Sequence, residues 1–205
     1  MKQITLLVVM LSLSVGMLFA QPVFGVRGGL NIASFTGEDN MDDFDSKLGF
    51  HAGAMMQSPL GNNFIIQPEV LYTMKGATSE FKLLGVQNEL TGTANYIEIP
   101  VLIKYNIELS SVQIQPYFGP SIGVLLVGEI TNKKSIGGIS STDTISFKDD
   151  MNALEAGLNF GADAVLMQNL MVGLRFNLGL TEIVKKDSKY KNNVFMVNLG
   201  FLFGN

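Results

Sequence analysis

Charged side chains interrupt several strongly apolar stretches of this 205-residue chain. In MVGLRFNLGL (171–180), for example, Arg175 lies among large apolar residues. Charges in a narrow, poorly hydrated interior must pair, because the burial of an isolated ion is strongly unfavourable. Such residues therefore predict either a closed network of ion pairs and hydrogen bonds or a path for protons or ions. Seven residues are candidates for this network: Arg27, Glu69, Glu98, Lys104, Glu155, Asp163 and Arg175.

His51, the only histidine, is the first residue to consider for catalysis. A Ser-His-acid site needs a serine and a carboxylate beside the ring. Ser46 and Ser79 lie on predicted neighbouring loops, but no spacing supports either. The sequence contains no phosphate-binding loop, zinc-ligand spacing or G-x-S-x-G element, and the acidic run at 39–45 lacks the glycine and distal glutamate of an EF-hand. We therefore predict no enzymatic activity, no catalytic residue, no cofactor and no metal site.

A period of two places the charged residues on a face of their own. Between 170 and 181, large apolar residues occupy the even positions, and small or polar residues, including Arg175, occupy the odd ones. This alternation predicts a β-strand, since a helix would distribute both sets around its axis. Eight segments share the pattern: 24–32, 48–57, 64–75, 96–105, 113–125, 153–166, 170–181 and 193–203.

The polar faces of these segments are unusually rich in glycine. Small residues suit a crowded, concave interior, whereas a face in bulk water would carry long Lys and Glu side chains. The alternative, a soluble sandwich or lipocalin-like barrel, would place the apolar face inside. We predict an all-β fold, an eight-stranded antiparallel up-and-down transmembrane β-barrel whose apolar residues face lipid.

The first twenty residues have the layout of a secretory signal peptide, with Lys2, an apolar core, and Ala20 before the cleavage point. This predicts a cleaved signal at 1–20 and one outer-membrane barrel domain at 21–205. The chain has no cysteine and a net charge of −4, which argue against a disulfide framework and against non-specific nucleic-acid binding.

Long and short connections alternate between the predicted strands. Residues 36–47, 76–93, 129–150 and 182–192 are long and polar, whereas 58–63, 106–111 and 167–169 are short. Outer-membrane barrels have long extracellular loops, short periplasmic turns and both termini in the periplasm. We predict that orientation, with the four long loops as the surface for a protein partner.

Three prolines lie near the turn ends of neighbouring predicted strands. Proline cannot donate a ladder hydrogen bond, and a closed barrel has no edge on which to tolerate it. Pro68, Pro100 and Pro116 therefore predict a shared bulged rim.

Counting residues from the turn ends places five charges in one layer of the predicted lumen: Arg27, Glu69, Glu98, Asp163 and Arg175. Asp163, on the strand next to Arg175, is the predicted partner of Arg175, and Glu69 and Glu98 are within reach across the interior. Such a network would fix the strand register and keep the lumen shut.

Three segments together resemble a known family. These are QPEVLYTMKGA (67–77), NYIEIPVLIKY (95–105) and QPYFGPSIGVLL (115–126), and the early FGVRGGLNIASF (24–35) and late NLGFLF (198–203) fit as well. They resemble the outer-membrane β-barrel family abundant in Bacteroidetes, the PorT-like or "porin family" group. The resemblance implies an eight-stranded barrel in the outer membrane of a Gram-negative cell and no catalytic residues.

The resemblance and the predicted closed lumen together predict a monomeric barrel surrounded by outer-membrane lipid. Its expected role is that of a structural or interaction protein, acting through its extracellular loops or its periplasmic rim. The alternative is a narrow channel or a subunit of an outer-membrane transport or secretion machine.

Overall fold

The computed structural model describes residues 22–37, 45–83, 86–136, 139–185 and 189–203, so the predicted signal peptide at 1–20 lies outside the described residues. Within the described ranges, no helix is long and apolar enough to cross a membrane. The strands are β1 (Val23–Thr36), β2 (Asp45–Gly61), β3 (Phe64–Leu83), β4 (Val86–Tyr105), β5 (Ile107–Leu109), β6 (Val112–Ile136), β7 (Ile139–Ser146), β8 (Leu154–Leu166), β9 (Leu170–Gly179) and β10 (Lys191–Phe203).

Eight of these strands form a closed antiparallel ring, which confirms the predicted barrel. The order is β1-β2-β3-β4-β6-β8-β9-β10, and β10 returns to pair with β1 from Phe24–Phe203 to Thr36–Lys191. The short β5 follows β4 and pairs with β6, and β7 forms a hairpin with the last part of β6.

The two ends of the barrel differ in their connections. At one end, β2–β3 and β8–β9 are joined by tight turns in which Asn62, Asn63, Met167 and Gln168 have positive φ angles of 47 to 69°. Asparagine tolerates this left-handed conformation, and paired positive φ angles match the twist of a hairpin. We call this the turn end, and the opposite end the loop end.

Alternating side chains separate the outside of the barrel from its lumen. In β9, Leu174 is 53% exposed and the adjacent Arg175 is 1% exposed. Large apolar residues form the outer surface all around the ring, for example Phe24, Val70 and Phe118. Because lipid is the medium that favours such a surface, the apolar residues stabilise the barrel from outside.

Two of the predicted loops are mostly strand, so those boundaries are wrong. Residues 76–93 belong to the ends of β3 and β4, which remain paired up to Leu83–Val86, and most of 129–150 belongs to β6 and β7. These extensions are mostly polar and have only scattered apolar residues, so a search for continuous apolar alternation misses them. Cross-strand threonine pairs such as Thr131–Thr144 hold them as strands instead. In the other two loops, 38–44 and 186–188 lie outside the described residues.

The predicted bulged rim is also wrong. The register of each ladder is the same on both sides of Pro68, Pro100 and Pro116. Each proline has a paired residue on only one of its two neighbouring strands. Pro116, for example, pairs with Ala162 of β8 but with no residue of β4. The ladder thus loses a hydrogen bond locally without taking in an extra residue.

Candidate functional site

The inner charges form two separate clusters rather than one layer. We define the lower charge cluster, on the side of the turn end, as Arg27, Glu69, Lys104, Asp163 and Arg175. All five side chains are fully buried. They come from β1, β3, β4, β8 and β9, so the cluster joins strands from all around the ring.

Glu69 is the acceptor at the centre of this cluster. Arg175 donates to it through two parallel bonds, Nη1 to Oε2 and Nη2 to Oε1, both 2.8 Å long. Arg27 Nη1 donates to the same carboxylate at 3.1 Å. Paired bonds between a guanidinium and a carboxylate are strong and directional, so Glu69 fixes both arginines across the lumen.

Asp163 holds the opposite side of the cluster. Its Oδ2 accepts from Arg27 Nη2 and, at 2.7 Å, from Lys104 Nζ. Lys104 also donates to Gln67 Oε1 at 2.8 Å and to Gln115 Oε1 at 2.9 Å. The three donor positions of the ammonium are therefore all used.

The predicted pairing of Arg175 with Asp163 is wrong, and the reason is Tyr117 of β6, two strands away from Arg175 in the ring. Arg175 lies opposite Gly161, and the Tyr117 side chain passes over that glycine. The Tyr117 hydroxyl accepts from Arg175 Nε at 3.3 Å and donates to the Leu174 carbonyl at 3.3 Å. With this tyrosine beside it, the guanidinium extends across the lumen to Glu69.

This arrangement predicts that Gly161 is required. A Cβ at this position would lie 2.3 Å from the Leu174 carbonyl oxygen and 2.5 Å from the Tyr117 hydroxyl. We expect Gly161→Ala to lower the free energy of unfolding by about 1–3 kcal/mol, because overpacking displaces the tyrosine. Urea titration of the barrel in lipid vesicles measures the change.

The matched control is Gly92→Ala in β4. Among the described residues, its new methyl group would have no neighbour nearer than 3.6 Å, so we expect a change within about 0.5 kcal/mol. If both variants lost the same free energy of unfolding, the cause would be the replacement of a strand glycine in general and not the contact between the new methyl group and Tyr117.

The second group, the upper charge cluster, consists of Lys75, Glu98 and Glu155. Lys75 Nζ lies 2.5 Å from Glu155 Oε1 and 3.3 Å from Glu98 Oε2. Asn177 bridges the two sides, since its oxygen accepts from Lys75 at 3.1 Å and its nitrogen donates to Glu98 at 2.9 Å. Glu98 therefore belongs here and not, as predicted, in one layer with Arg27 and Arg175.

Lys75 is absent from the seven residues singled out in the sequence, although it alternates correctly with Glu69. It is the last polar-face residue of the predicted strand 64–75. Charge balance is the signal that could have found it, since the seven candidates contain three cations and four carboxylates. With Lys75 the two clusters contain four of each.

An apolar cluster lies beyond each charge cluster. At the turn end, Met55, Val165, Met171 and Leu202 pack together. Toward the loop end, Ala94, Tyr96, Leu125, Met151 and Ile183 form a second group, which we call the mouth cluster. The lumen is thus filled from end to end with side chains, as the small diameter of an eight-stranded barrel requires.

The sequence match agrees with this architecture. A family model described as outer membrane protein beta-barrel domain matches residues 19–185. The chain belongs to this family. Membership of this family implies that the barrel lies in the outer membrane, and its apolar outer surface suits contact with lipid.

Several solved outer membrane proteins match the chain at low sequence identity and with TM-scores below 0.5. Ail of Yersinia pestis is 12% identical, covers 90% of this chain and 100% of its own, and has a TM-score of 0.42. Neisserial surface protein A is 17% identical, with coverages of 90% and 100% and a TM-score of 0.44. OprG of Pseudomonas aeruginosa is 12% identical, with coverages of 91% and 98% and a TM-score of 0.45. No curated protein sequence matches the chain.

His51 lies inside this outer membrane barrel, buried between the two charge clusters. Its Nδ1 is 2.7 Å from the Asn31 side-chain oxygen, so the ring is oriented by an amide rather than by a carboxylate. Ser79 instead lines a cavity at the loop end. Among the described residues, no group of three or more His, Asp and Glu side chains is arranged to hold a metal ion.

Proposed function

We propose that this outer membrane barrel is a closed scaffold that presents its loop-end strands to a protein partner. The observation that carries the proposal is the filled lumen. The side chains of the lower charge cluster are completely inaccessible, and apolar clusters lie on either side of the charged residues. A path for ions or solutes would require hydrated space that these side chains occupy.

The loop-end extensions supply the surface for such a partner. The ends of β3, β4 and β6 together with β7 form one antiparallel sheet that continues beyond the ring. In β7, residues 140–146 are all exposed, and the outer edge of this strand has no pairing among the described strands. An exposed edge can accept a strand from another protein.

The loop end is extracellular in this proposal, and both termini are periplasmic. The even number of strands in the ring and the tight turns at one end support that orientation. The signal at 1–20 is cleaved, the mature barrel is monomeric, and its motifs at 67–77, 95–105 and 115–126 support membership of the PorT-like group of Bacteroidetes.

We expect the purified protein to show no steady ion conductance in planar bilayers, because the two charge clusters and two apolar clusters block the lumen. Faster migration of unheated protein in SDS gels verifies that the sample is folded. Steady, discrete openings from such a sample would contradict the closed scaffold and favour the narrow channel or transport subunit.

The orientation and the partner surface can be tested with one cysteine, since the chain has none. We expect Thr142→Cys, in β7, to react with a membrane-impermeant maleimide on intact cells, whereas Asn62→Cys, in a turn, reacts only after lysis.

A photo-cross-linker attached to Cys at position 142 should then form an adduct with a protein. The same group at lipid-facing Leu174 is the control, and adducts at both positions or at neither would contradict a specific partner surface.

A further inference from the structure

The loop-end strands border an open cavity that neither the charge clusters nor the scaffold role explains. Its volume is about 670 Å³, and it lies between the extended sheet and the segments around Phe147 and Tyr190. Small-molecule sites in proteins typically have volumes of about 300–1,000 Å³ and combine an apolar lining with a few polar groups. The cavity therefore has the size of a ligand site.

The floor of the cavity is the mouth cluster. Ala94, Met151 and Ile183 are buried members of that cluster and also line the cavity. Because they separate it from the upper charge cluster below, a ligand would rest on an apolar surface and would not enter the lumen. The walls add aromatic rings, namely Phe35, Phe81, Phe147 and Tyr190.

The charges on the lining have one sign. Among the described residues that line the cavity, the charged ones are the exposed carboxylates Asp45, Glu80 and Glu129. No lysine is among these lining residues. Of the lysines close to the cavity, Lys47 donates to Thr93 and attracts Glu129, and Lys185 donates to the Asp149 carbonyl. The described lining itself therefore has three carboxylates and no cation.

From the apolar floor, the aromatic walls and the acidic rim, we propose that this cavity binds a small amphiphilic cation. Its occupant has an aromatic or alkyl body that fills the apolar part and an ammonium group that faces the carboxylates. Aromatic faces also attract cations, so the walls and the rim favour the same ligand. An anion of the same shape would meet the rim carboxylates and be repelled.

Three naphthalene compounds test the proposal: 1-naphthylmethylammonium, neutral 1-naphthylmethanol and anionic 1-naphthylacetate. Binding to the full mature chain in lipid nanodiscs is measured by calorimetry at low salt, with empty nanodiscs subtracted. We expect the cation to bind about tenfold more tightly than the anion, and the neutral compound to lie between them. No binding above empty nanodiscs, or equal affinity for all three, would overturn the proposal.

Two variants separate the apolar and charged contributions. A Cβ on Gly92 would have its nearest neighbour, a Phe35 ring atom, at 3.6 Å, so Gly92→Phe places a ring in the cavity and should weaken all three compounds at least tenfold. Ser79→Phe is the alternative if the first variant does not fold.

The triple variant Asp45→Asn, Glu80→Gln, Glu129→Gln should bind the neutral compound as before and lose its preference for the cation. An unchanged preference, or undiminished binding to the filled variant, would show that the cavity is not the site.

Discussion

Replacing Arg175 by leucine will lower the free energy of unfolding by about 3–5 kcal/mol. The side chain is completely buried and supplies two of the hydrogen bonds to Glu69. Leucine offers no donor, so Glu69 keeps the Arg27 bond and the Gln67 amide but loses its paired partner. A carboxylate left short of partners in a dry interior bears much of its desolvation cost uncompensated. Urea titration of the folded barrel in lipid vesicles measures the loss.

Leu174→Ala is the comparison on the other face of the same strand. Its side chain is 53% exposed on the outer surface, and lipid fills the space that a truncation leaves, so only the transfer free energy of about 1–2 kcal/mol is lost. Arg175→Lys keeps the charge but not the paired bonds and should fall between the two. Equal losses for Arg175→Leu and Leu174→Ala would refute the role of the ion pair.

A second-site change sharpens the same test. In the Arg175→Leu background, Glu69→Gln removes the carboxylate that has lost its partner. The double variant should therefore be more stable than the sum of the single losses predicts, by at least about 1 kcal/mol. Simple additivity would mean that Arg175 acts through its packing against Tyr117 instead.

Replacing Lys75 by methionine should have an effect of similar size, about 3–5 kcal/mol. Lys75 is the cation that contacts both Glu98 and Glu155. Methionine fills a similar length without a charge, so the two carboxylates then face each other with only amide and hydroxyl donors around them. The added Glu155→Gln should recover part of the loss, because it removes one of the two like charges.

Lys133→Met is a matched control outside the lumen. Lys133 pairs with Glu89 at 3.6 Å, but the two side chains are 50% and 40% exposed. Pairs in water contribute about 0–1 kcal/mol, so this variant should unfold close to the unmodified barrel. The predicted difference between the two lysines follows from burial alone; a loss for Lys75→Met as small as that of Lys133→Met would contradict the upper charge cluster as a structural element.

The fold and the sidedness of the eight ring strands follow from the sequence, because period two depends only on neighbouring residues. Arg175 could be placed inside from MVGLRFNLGL alone. Its partner could not, since contacts across the lumen depend on how the strands are staggered around the ring and on large neighbours such as Tyr117. The same limitation put Glu98 in the wrong layer.

The remaining errors have their own physical causes. Strands that extend into water need no apolar face, so the ends of β3, β4 and β6 resembled loops. Pro68, Pro100 and Pro116 suggested bulges because a lost hydrogen bond looks costly, yet one missing bond in a long ladder is tolerated without a change of register. The sidedness of Lys75 follows from the predicted strand 64–75, but its place in a charge cluster depends on Glu98 and Glu155 of other strands.

The uneven division of charge between the two clusters constrains how this lumen can evolve. The lower charge cluster has three cations and two carboxylates, whereas the upper has one cation and two carboxylates. Each cluster therefore has an excess of one charge, and only the two together are neutral. Loss of Lys104 alone would leave the barrel interior negative, but loss of Lys104 with Glu98 would not. Among descendants of this chain, inner charges should therefore change in pairs of opposite sign, either within one cluster or between the two, so that sequence drift at one height in the barrel can be balanced at the other.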